Sequence, residues 1–278
     1  HGLTANKFLY QTTCIEMASF GHLVLIIDHL DGSGTLTKTE NGEILKFNTS
    51  MPRNEFKRGE AGHLKIEQIH TLIGGSLGGQ VALEWAYTLG QRLQHAIIIA
   101  STAKTSPWVI GFNEAQRMAI AADNTWGQAH QDAGKKGLEA ARAIAMLSYR
   151  NPSDINTKQK ESEEKLDGFL AASYLRYQGS KLAKRFQAFS YWSLTKAMDS
   201  HDLGRGRGGI EDALKTIQAQ VLAVGVNSDL LFLAEEARFL SQKVRTGSYG
   251  EIVSTAGHDA FLIEFAQLSS LIKKFYSD

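Results

Sequence analysis

Apolar positions along this chain follow two different rhythms. Towards both ends they gather in short strand-like stretches, at Leu23 to Asp28, Ile69 to Ile73, Ala96 to Ala100, Val221 to Val226 and Glu251 to Ser254. Runs of this length, bounded by polar loops and alternating with helix-like stretches such as Gln80 to Tyr87, predict buried parallel strands in βα units. From Phe112 to about Met198 the period becomes helical. Leu166, Phe169, Leu170, Tyr174 and Tyr177 fall at i, i+3, i+4, i+8 and i+11, and Leu182, Phe186 and Phe189 continue the habit. That spacing lines one face of a helix and reads as a face packed into a core. The charged segment Asn156 to Lys165 reads as the solvated start of a helix in the same block.

These rhythms predict an α/β fold, a mostly parallel sheet flanked by helices, with a helical block inserted as a lid. The expected division is 1–108 for the first part of the core, 109–210 for the lid and 211–278 for the second part of the core.

The join between Ile73 and the helix-like segment at Gln80 carries the most specific chemistry. It reads Gly74-Gly75-Ser76-Leu77-Gly78-Gly79, a G-x-S-x-G elbow after a strand and before a helix. Such a turn strains the serine backbone so that its oxygen projects outwards, and small residues on either side let strand and helix pass. A serine hydroxyl is a weak nucleophile, so Ser76 requires a histidine base and a carboxylate that orients it. In elbow enzymes these follow in the order acid, then histidine, on loops after later strands. Val221 to Val226 empties into Asn227-Ser228-Asp229. The run ending at Ser254 leads to Ala256-Gly257-His258-Asp259 and an apolar helix-like stretch, Ala260 to Phe265. Of nine histidines, His258 alone follows a late strand in this way. Ser76, Asp229 and His258 are therefore the expected catalytic residues. The oxyanion hole is expected from the backbone N–H of Leu77 and from the loop His1-Gly2-Leu3-Thr4, with Leu3 as second donor.

Composition narrows the partners. A chain of 278 residues that is 43% hydrophobic can bury a large core, and its net charge of +1 gives no reason to expect nucleic acid or an anionic membrane. No apolar run approaches the roughly 20 residues of a membrane helix. The single cysteine, Cys14, rules out an internal disulfide, fits a reducing compartment and is read as a buried small residue. Gly204-Arg205-Gly206-Arg207-Gly208-Gly209 follows the polar Asp199-Ser200-His201-Asp202 rather than a strand, so it is no dinucleotide loop. It reads instead as a flexible return from lid to core with an arginine free to face a ligand.

Five segments in order resemble the homoserine O-acetyltransferases, a family with the α/β-hydrolase fold. They are the elbow with Ala82-Leu83-Glu84-Trp85-Ala86, Phe112-Asn113-Glu114 with Gln116-Arg117, Arg185-Phe186 with Ser190-Tyr191, His201 to Gly208, and Gly257-His258-Asp259-Ala260-Phe261-Leu262. His1-Gly2-Leu3-Thr4 is similar to the family's oxyanion loop, and the family's first strands are expected upstream of His1. The resemblance implies transfer of an acetyl group from acetyl-CoA to the γ-hydroxyl of L-homoserine through an acyl-serine. It implies Arg185 on the homoserine carboxylate, Asp259 on its amino group and Tyr191 near the same pocket. Spacing alone equally allows Arg185 a surface salt bridge. It further implies acetyl-CoA as co-substrate with no bound cofactor or metal, a role in methionine biosynthesis, a cytoplasmic location and a homodimer built through the lid helices. Succinyl-CoA as donor, serine as acceptor, a serine esterase and a non-catalytic chain are the alternatives.

Overall fold

The computed structural model describes residues 69–277, together with the backbone of two short antiparallel strands, β1 (Leu36–Lys38) and β2 (Ile44–Lys46). The His1 to Thr4 loop with Leu3, Cys14 and the run at Leu23 to Asp28 lie outside the described residues.

Four parallel strands form the central sheet in the order β3 (Ile69–Gly75), β4 (Leu93–Ile99), β5 (Gln220–Val226) and β6 (Gly247–Ile252). Helix α1 (Leu77–Leu89) leads from β3 to β4. Because side chains alternate across a strand, β4 and β5 feed two separate cores. Ala96, Ile98, Val221 and Ala223 pack with Leu83 and Ala86 of α1. Ile97, Ile99, Leu222 and Val224 pack on the other face with Leu268, Ile272 and Phe275 of the C-terminal helix. This double burial explains why the central stretches of β4 and β5, Ala96 to Ile99 and Val221 to Val226, carry no polar side chain and do not alternate.

Between β4 and β5 the chain builds α2 (Pro107–Ala121), α3 (Lys135–Tyr149), α4 (Pro152–Lys158), α5 (Leu170–Ala183), α6 (Ala188–Asp199) and α7 (Ile210–Thr216). Helices α2, α3, α5 and α6 pack around a second core, which includes Val109, Ile120, Leu138, Ala145, Leu182 and Tyr191. Two starts are set by capping: Ser106 before Pro107, and Asn151 before Pro152, each accepting a backbone N–H from the first turn. The helices approach closely through glycine, for a Cβ on Gly137 would lie 2.6 Å from Ile120 Cα and one on Gly179 2.5 Å from the Glu139 carbonyl oxygen. The neck of the block is a short bridge between Lys104 and Asp202, with an ion pair of 3.0 Å between their side chains.

Several expectations change in three dimensions. Helix α5 begins at Leu170, and its buried face carries Gly179, Leu182 and Ala183. Leu182 and Phe186 are buried and Tyr174 packs against the helical core, but Leu166 is fully exposed and Phe169, Leu170, Tyr177 and Phe189 are also exposed, so only part of the stripe is a core face. Periodicity reports that a face is apolar and says nothing about what covers it, and docking through Gly179 leaves the rest turned outwards. The charged segment does not start a helix either. Its first residues end α4, and Glu161, paired with Lys165 at 2.6 Å, accepts the N–H of Leu170 and so caps α5.

The glycine-rich return is a closed series of turns rather than a loose strap. Arg207 reaches Glu84 of α1 at 2.7 Å and lies 4.1 Å over the Tyr87 ring, while Arg205 donates to the Ser200 carbonyl. Arg207 ties the return to the elbow helix. After β6, Gly257–Leu262 forms a 3₁₀ turn, and the expected helix starts later, as α9 (Phe265–Ser277), with α8 (Ala234–Lys243) preceding β6. Among the described residues no helix is long and apolar enough to cross a membrane.

Candidate active site

Ser76 sits between β3 and α1 with φ 57° and ψ −126°, a conformation rarely adopted by a residue with a side chain. Its neighbours hold it there. The Ser76 N–H donates to the Ile99 carbonyl at 2.9 Å, and its carbonyl accepts from Gly79 N–H at 2.9 Å and from the Ser101 hydroxyl at 2.8 Å. The glycines answer a strict lack of space. A Cβ on Gly74 would lie 2.1 Å from the Gly78 carbonyl oxygen, one on Gly79 2.5 Å from Ser101 Cβ, and one on Gly75 2.5 Å from the Phe261 ring.

Asp229 and His258 come to the same point from the ends of β5 and β6. The Asp229 carboxylate is buried; Oδ1 accepts the N–H groups of Leu231 at 2.8 Å and Phe232 at 3.0 Å, while Oδ2 lies 2.7 Å from His258 Nδ1. His258 Nε2 lies 2.9 Å from Ser76 Oγ. With a carboxylate on Nδ1, that nitrogen carries the proton, so Nε2 accepts from the serine hydroxyl. The imidazole is enclosed by Tyr149, Phe232 and Phe261, with ring centroids between 5.4 and 5.6 Å away. Burial works against a charged imidazole, but the charge and hydrogen bond of Asp229, joined by Asp259, outweigh it, so the His258 pKa is raised above 6.5.

A measurable pH dependence follows. The histidine must be neutral to take the serine proton, so kcat/KM should rise with pH through a value above 6.5. Asp259→Asn removes a nearby negative charge, lowers the His258 pKa and should move this acid limb to lower pH. An unchanged limb, in a pH–rate series on both proteins, would show that Asp259 does not act on the base.

Nearby groups carry other perturbations. Burial, with the charge of Asp229 adding to it, pushes the Glu236 carboxyl up to about 7, against hydrogen bonds from the Leu233 N–H and from Thr102 that pull it down. The buried hydroxyls of Tyr149 and Tyr191 hydrogen-bond each other, and burial raises both pKa values.

The remaining sequence-predicted residues are placed as follows. Leu77 opens α1 directly after the nucleophile, where the first N–H groups of a helix lack intrahelical acceptors. Asp259 follows His258 and pairs with Arg150 Nε at 3.3 Å. Tyr191 is fully buried in the helical core, its hydroxyl bonded to Gln116. Arg185 is exposed in the turn between α5 and α6. The structure thus brings Ser76, Asp229, His258, Leu77 and Asp259 to one place.

Sequence reasoning missed Tyr149, Arg150, Asn151 and Ser228, which surround the base and acid loops. Asn151-Pro152 is legible as a helix start. Nothing local indicates that the same asparagine reaches a loop 77 positions further along the chain.

A buried serine, histidine and aspartate in line, on loops at the carboxyl ends of parallel strands, have the arrangement of a serine-nucleophile site of the hydrolase type. The chain belongs to the alpha/beta hydrolase fold family, whose pattern matches residues 62–265. The pattern of platelet-activating factor acetylhydrolase, isoform II, matches residues 1–97. Homoserine O-acetyltransferases are among its relatives within the fold family. The chain is 62% identical over 214 residues to the homoserine O-acetyltransferase of Cyclobacterium marinum, covering 77% of this chain and 61% of that one. It is 42% identical over 215 residues to that of Chloroherpeton thalassium, covering 76% and 57%. The crystal structure of the Staphylococcus aureus homoserine O-acetyltransferase superposes with a TM-score of 0.64 at 31% identity, covering 77% of this chain and 60% of the other. The chain therefore spans about three fifths of the length of these relatives.

Proposed function

We propose that the protein transfers an acetyl group from acetyl-CoA to the γ-hydroxyl of L-homoserine in two half-reactions through an acetyl ester on Ser76. The carrying observation is the 2.9 Å and 2.7 Å relay from Ser76 Oγ through His258 to Asp229, in a chain 62% identical to a protein of that name.

In the first half-reaction Ser76 Oγ attacks the thioester carbonyl while His258 Nε2 takes its proton. Asp229 keeps Nδ1 protonated and stabilises the imidazolium that forms. Charge on the carbonyl oxygen is met by the Leu77 N–H, at the positive end of the α1 dipole. Collapse of the tetrahedral intermediate breaks the carbon–sulfur bond, and His258 returns the proton to the departing thiolate. In the second half-reaction the homoserine hydroxyl loses its proton to His258, attacks the ester and regenerates Ser76.

The amino acid is held through Asp259 on its ammonium and Arg185 on its carboxylate, with Tyr191 backing the pocket through Tyr149. Since Asp259 is paired with Arg150, the ammonium exchanges with that guanidinium on binding. The exposed apolar residues Leu166, Phe169, Leu170, Tyr177 and Phe189 support a homodimer through the lid helices. The reaction belongs to methionine biosynthesis in the cytoplasm, a compartment with which the single Cys14 agrees.

The test is to mix the protein with acetyl-CoA alone and then with L-homoserine, following free thiol and intact mass. A thiol burst with one acetyl adduct on Ser76, discharged faster by homoserine than by water, is expected. Thiol release indifferent to homoserine would make the protein a hydrolase.

A further inference from the structure

The two loops that carry the acid and the base do not merely converge; they are tied together one residue before each catalytic side chain. The Ser228 hydroxyl, next to Asp229, accepts the N–H of Gly257, next to His258, at 3.0 Å. A third segment meets them at the same residue. The Ser228 carbonyl accepts from Asn151 Nδ2 at 3.2 Å, and Asn151 stands at the joint between α3 and α4 of the helical block. The other end of that amide is occupied, because Asn151 Oδ1 accepts from the Ser153 N–H at 3.0 Å and so caps α4.

The contact is also tight in its backbone. Gly257 has φ +70°, and a Cβ there would lie 2.7 Å from Asn151 N and 2.9 Å from the Arg150 carbonyl carbon, so the joint rests directly on the base loop. On the acid side, Asn227 Oδ1 accepts from the Ser254 N–H at 2.9 Å, a second tie between the same two loops. Tyr149, two residues before Asn151, stacks at 5.6 Å on the His258 ring.

We infer that Asn151 and Ser228 are positioning residues, through which the seating of the helical block on the core sets the Asp229–His258 geometry. Neither touches a substrate or a reacting atom. They act because the 2.7 Å hydrogen bond that holds the base lies one residue beyond the bonds they make. Small displacements in such an arrangement cost rate steeply. The inference rests on Ser76 being an activated nucleophile, and it is independent of which acyl donor or acceptor the protein uses.

The test therefore avoids both substrates. A fluorophosphonate reacts covalently with an activated serine: Ser76 Oγ bonds to phosphorus, fluoride leaves, and His258 takes the serine proton. Its second-order rate is measured against pH for the wild type, Ser228→Ala, Ser228→Thr and Asn151→Ser. Serine caps a helix about as well as asparagine, so Asn151→Ser keeps α4 and loses only the donor to Ser228. Ser228→Ala and Asn151→Ser should react roughly tenfold more slowly, a loss in the range of a displaced catalytic group, with the acid limb moved to lower pH as the Asp229 pairing loosens. Ser228→Thr, which keeps the hydroxyl, should stay near the wild type.

Folded variants whose rate and acid limb match the wild type would overturn the positioning role, whatever their melting temperatures. If Ser228→Ala fails to fold, Asn151→Ser decides alone on the same criterion. A wild-type chain that resists the probe altogether would overturn this inference and the nucleophile reading together. A wild type that reacts, with variants that match it, overturns the positioning role only.

Discussion

Ser76→Ala should lower turnover roughly a million-fold, the scale on which serine-nucleophile enzymes respond to loss of the nucleophile. That factor corresponds to about 8 kcal/mol of transition-state stabilisation. The geometry gives the reason. The hydroxyl is the only atom removed, and it is the atom 2.9 Å from the base. The strained elbow, held by the Ile99 carbonyl and the Ser101 hydroxyl through the Ser76 backbone, is left in place, so the variant should fold and bind as before. A residual rate over the uncatalysed reaction should persist, since the Leu77 N–H and substrate binding remain. The measurement is steady-state turnover together with intact mass after exposure to acetyl-CoA. Loss of the acetyl adduct must accompany loss of turnover. A variant that keeps more than about one hundredth of wild-type activity would mean that another group is acylated and would remove Ser76 from the mechanism.

Gly74→Ala should be a severely damaging single methyl group at the nucleophile elbow. Its Cβ would sit 2.1 Å from the Gly78 carbonyl oxygen and 2.9 Å from the Gly79 nitrogen. Both are backbone atoms of the first turn of α1, so no rotamer change relieves the clash. Either strand β3 or helix α1 must move, and both carry the nucleophile between them. Overpacking of this kind costs about 3 kcal/mol or more, which for a protein of this size lowers the melting temperature by roughly 10 °C. Calorimetry on the variant checks the loss, and fluorophosphonate labelling checks the accompanying displacement of Ser76. A Gly74→Ala protein as stable and as reactive as the wild type would show that the elbow is looser than its distances imply. Contrast Gly111, where an added Cβ meets nothing within 4 Å. Glycine content by itself therefore does not mark the sensitive positions.

How far the chain could be read before its structure depended on what kind of interaction each feature expresses. The strand runs at Ala96 and Val221 were legible because a strand buried on both faces must be apolar at every position, and these two, with the run at Ile69, proved within three residues of the observed start or end. The elbow was legible because its first glycine, Gly74, answers a contact within six consecutive residues, whereas Gly75 and Gly79 answer Phe261 and Ser101, which no local pattern names. The order of Ser76, Asp229 and His258 was legible because chain order and sheet order coincide from β3 to β6. Features that depend on contacts between distant segments were read wrongly or not at all. The α5 stripe has the right period for a helix, yet only Tyr174, Leu182 and Phe186 of it meet the core, while Leu166, Phe169, Leu170, Tyr177 and Phe189 are exposed. The return was expected to be flexible, and instead Arg207 is held by Glu84, 123 positions away.

The local pattern of residues thus determined that this chain makes parallel strands, a strained serine turn and an acid and base on later loops. Each is a matter of burial period or short-range sterics, which neighbouring residues dictate. Only the tertiary structure decided which helix faces are covered, that Asp259 is paired with Arg150, and that Asn151 and Ser228 tie the helical block to the loops of the acid and the base. Those are choices among partners far apart in the chain, made by the packing of whole elements, and no local rhythm of residues encodes them.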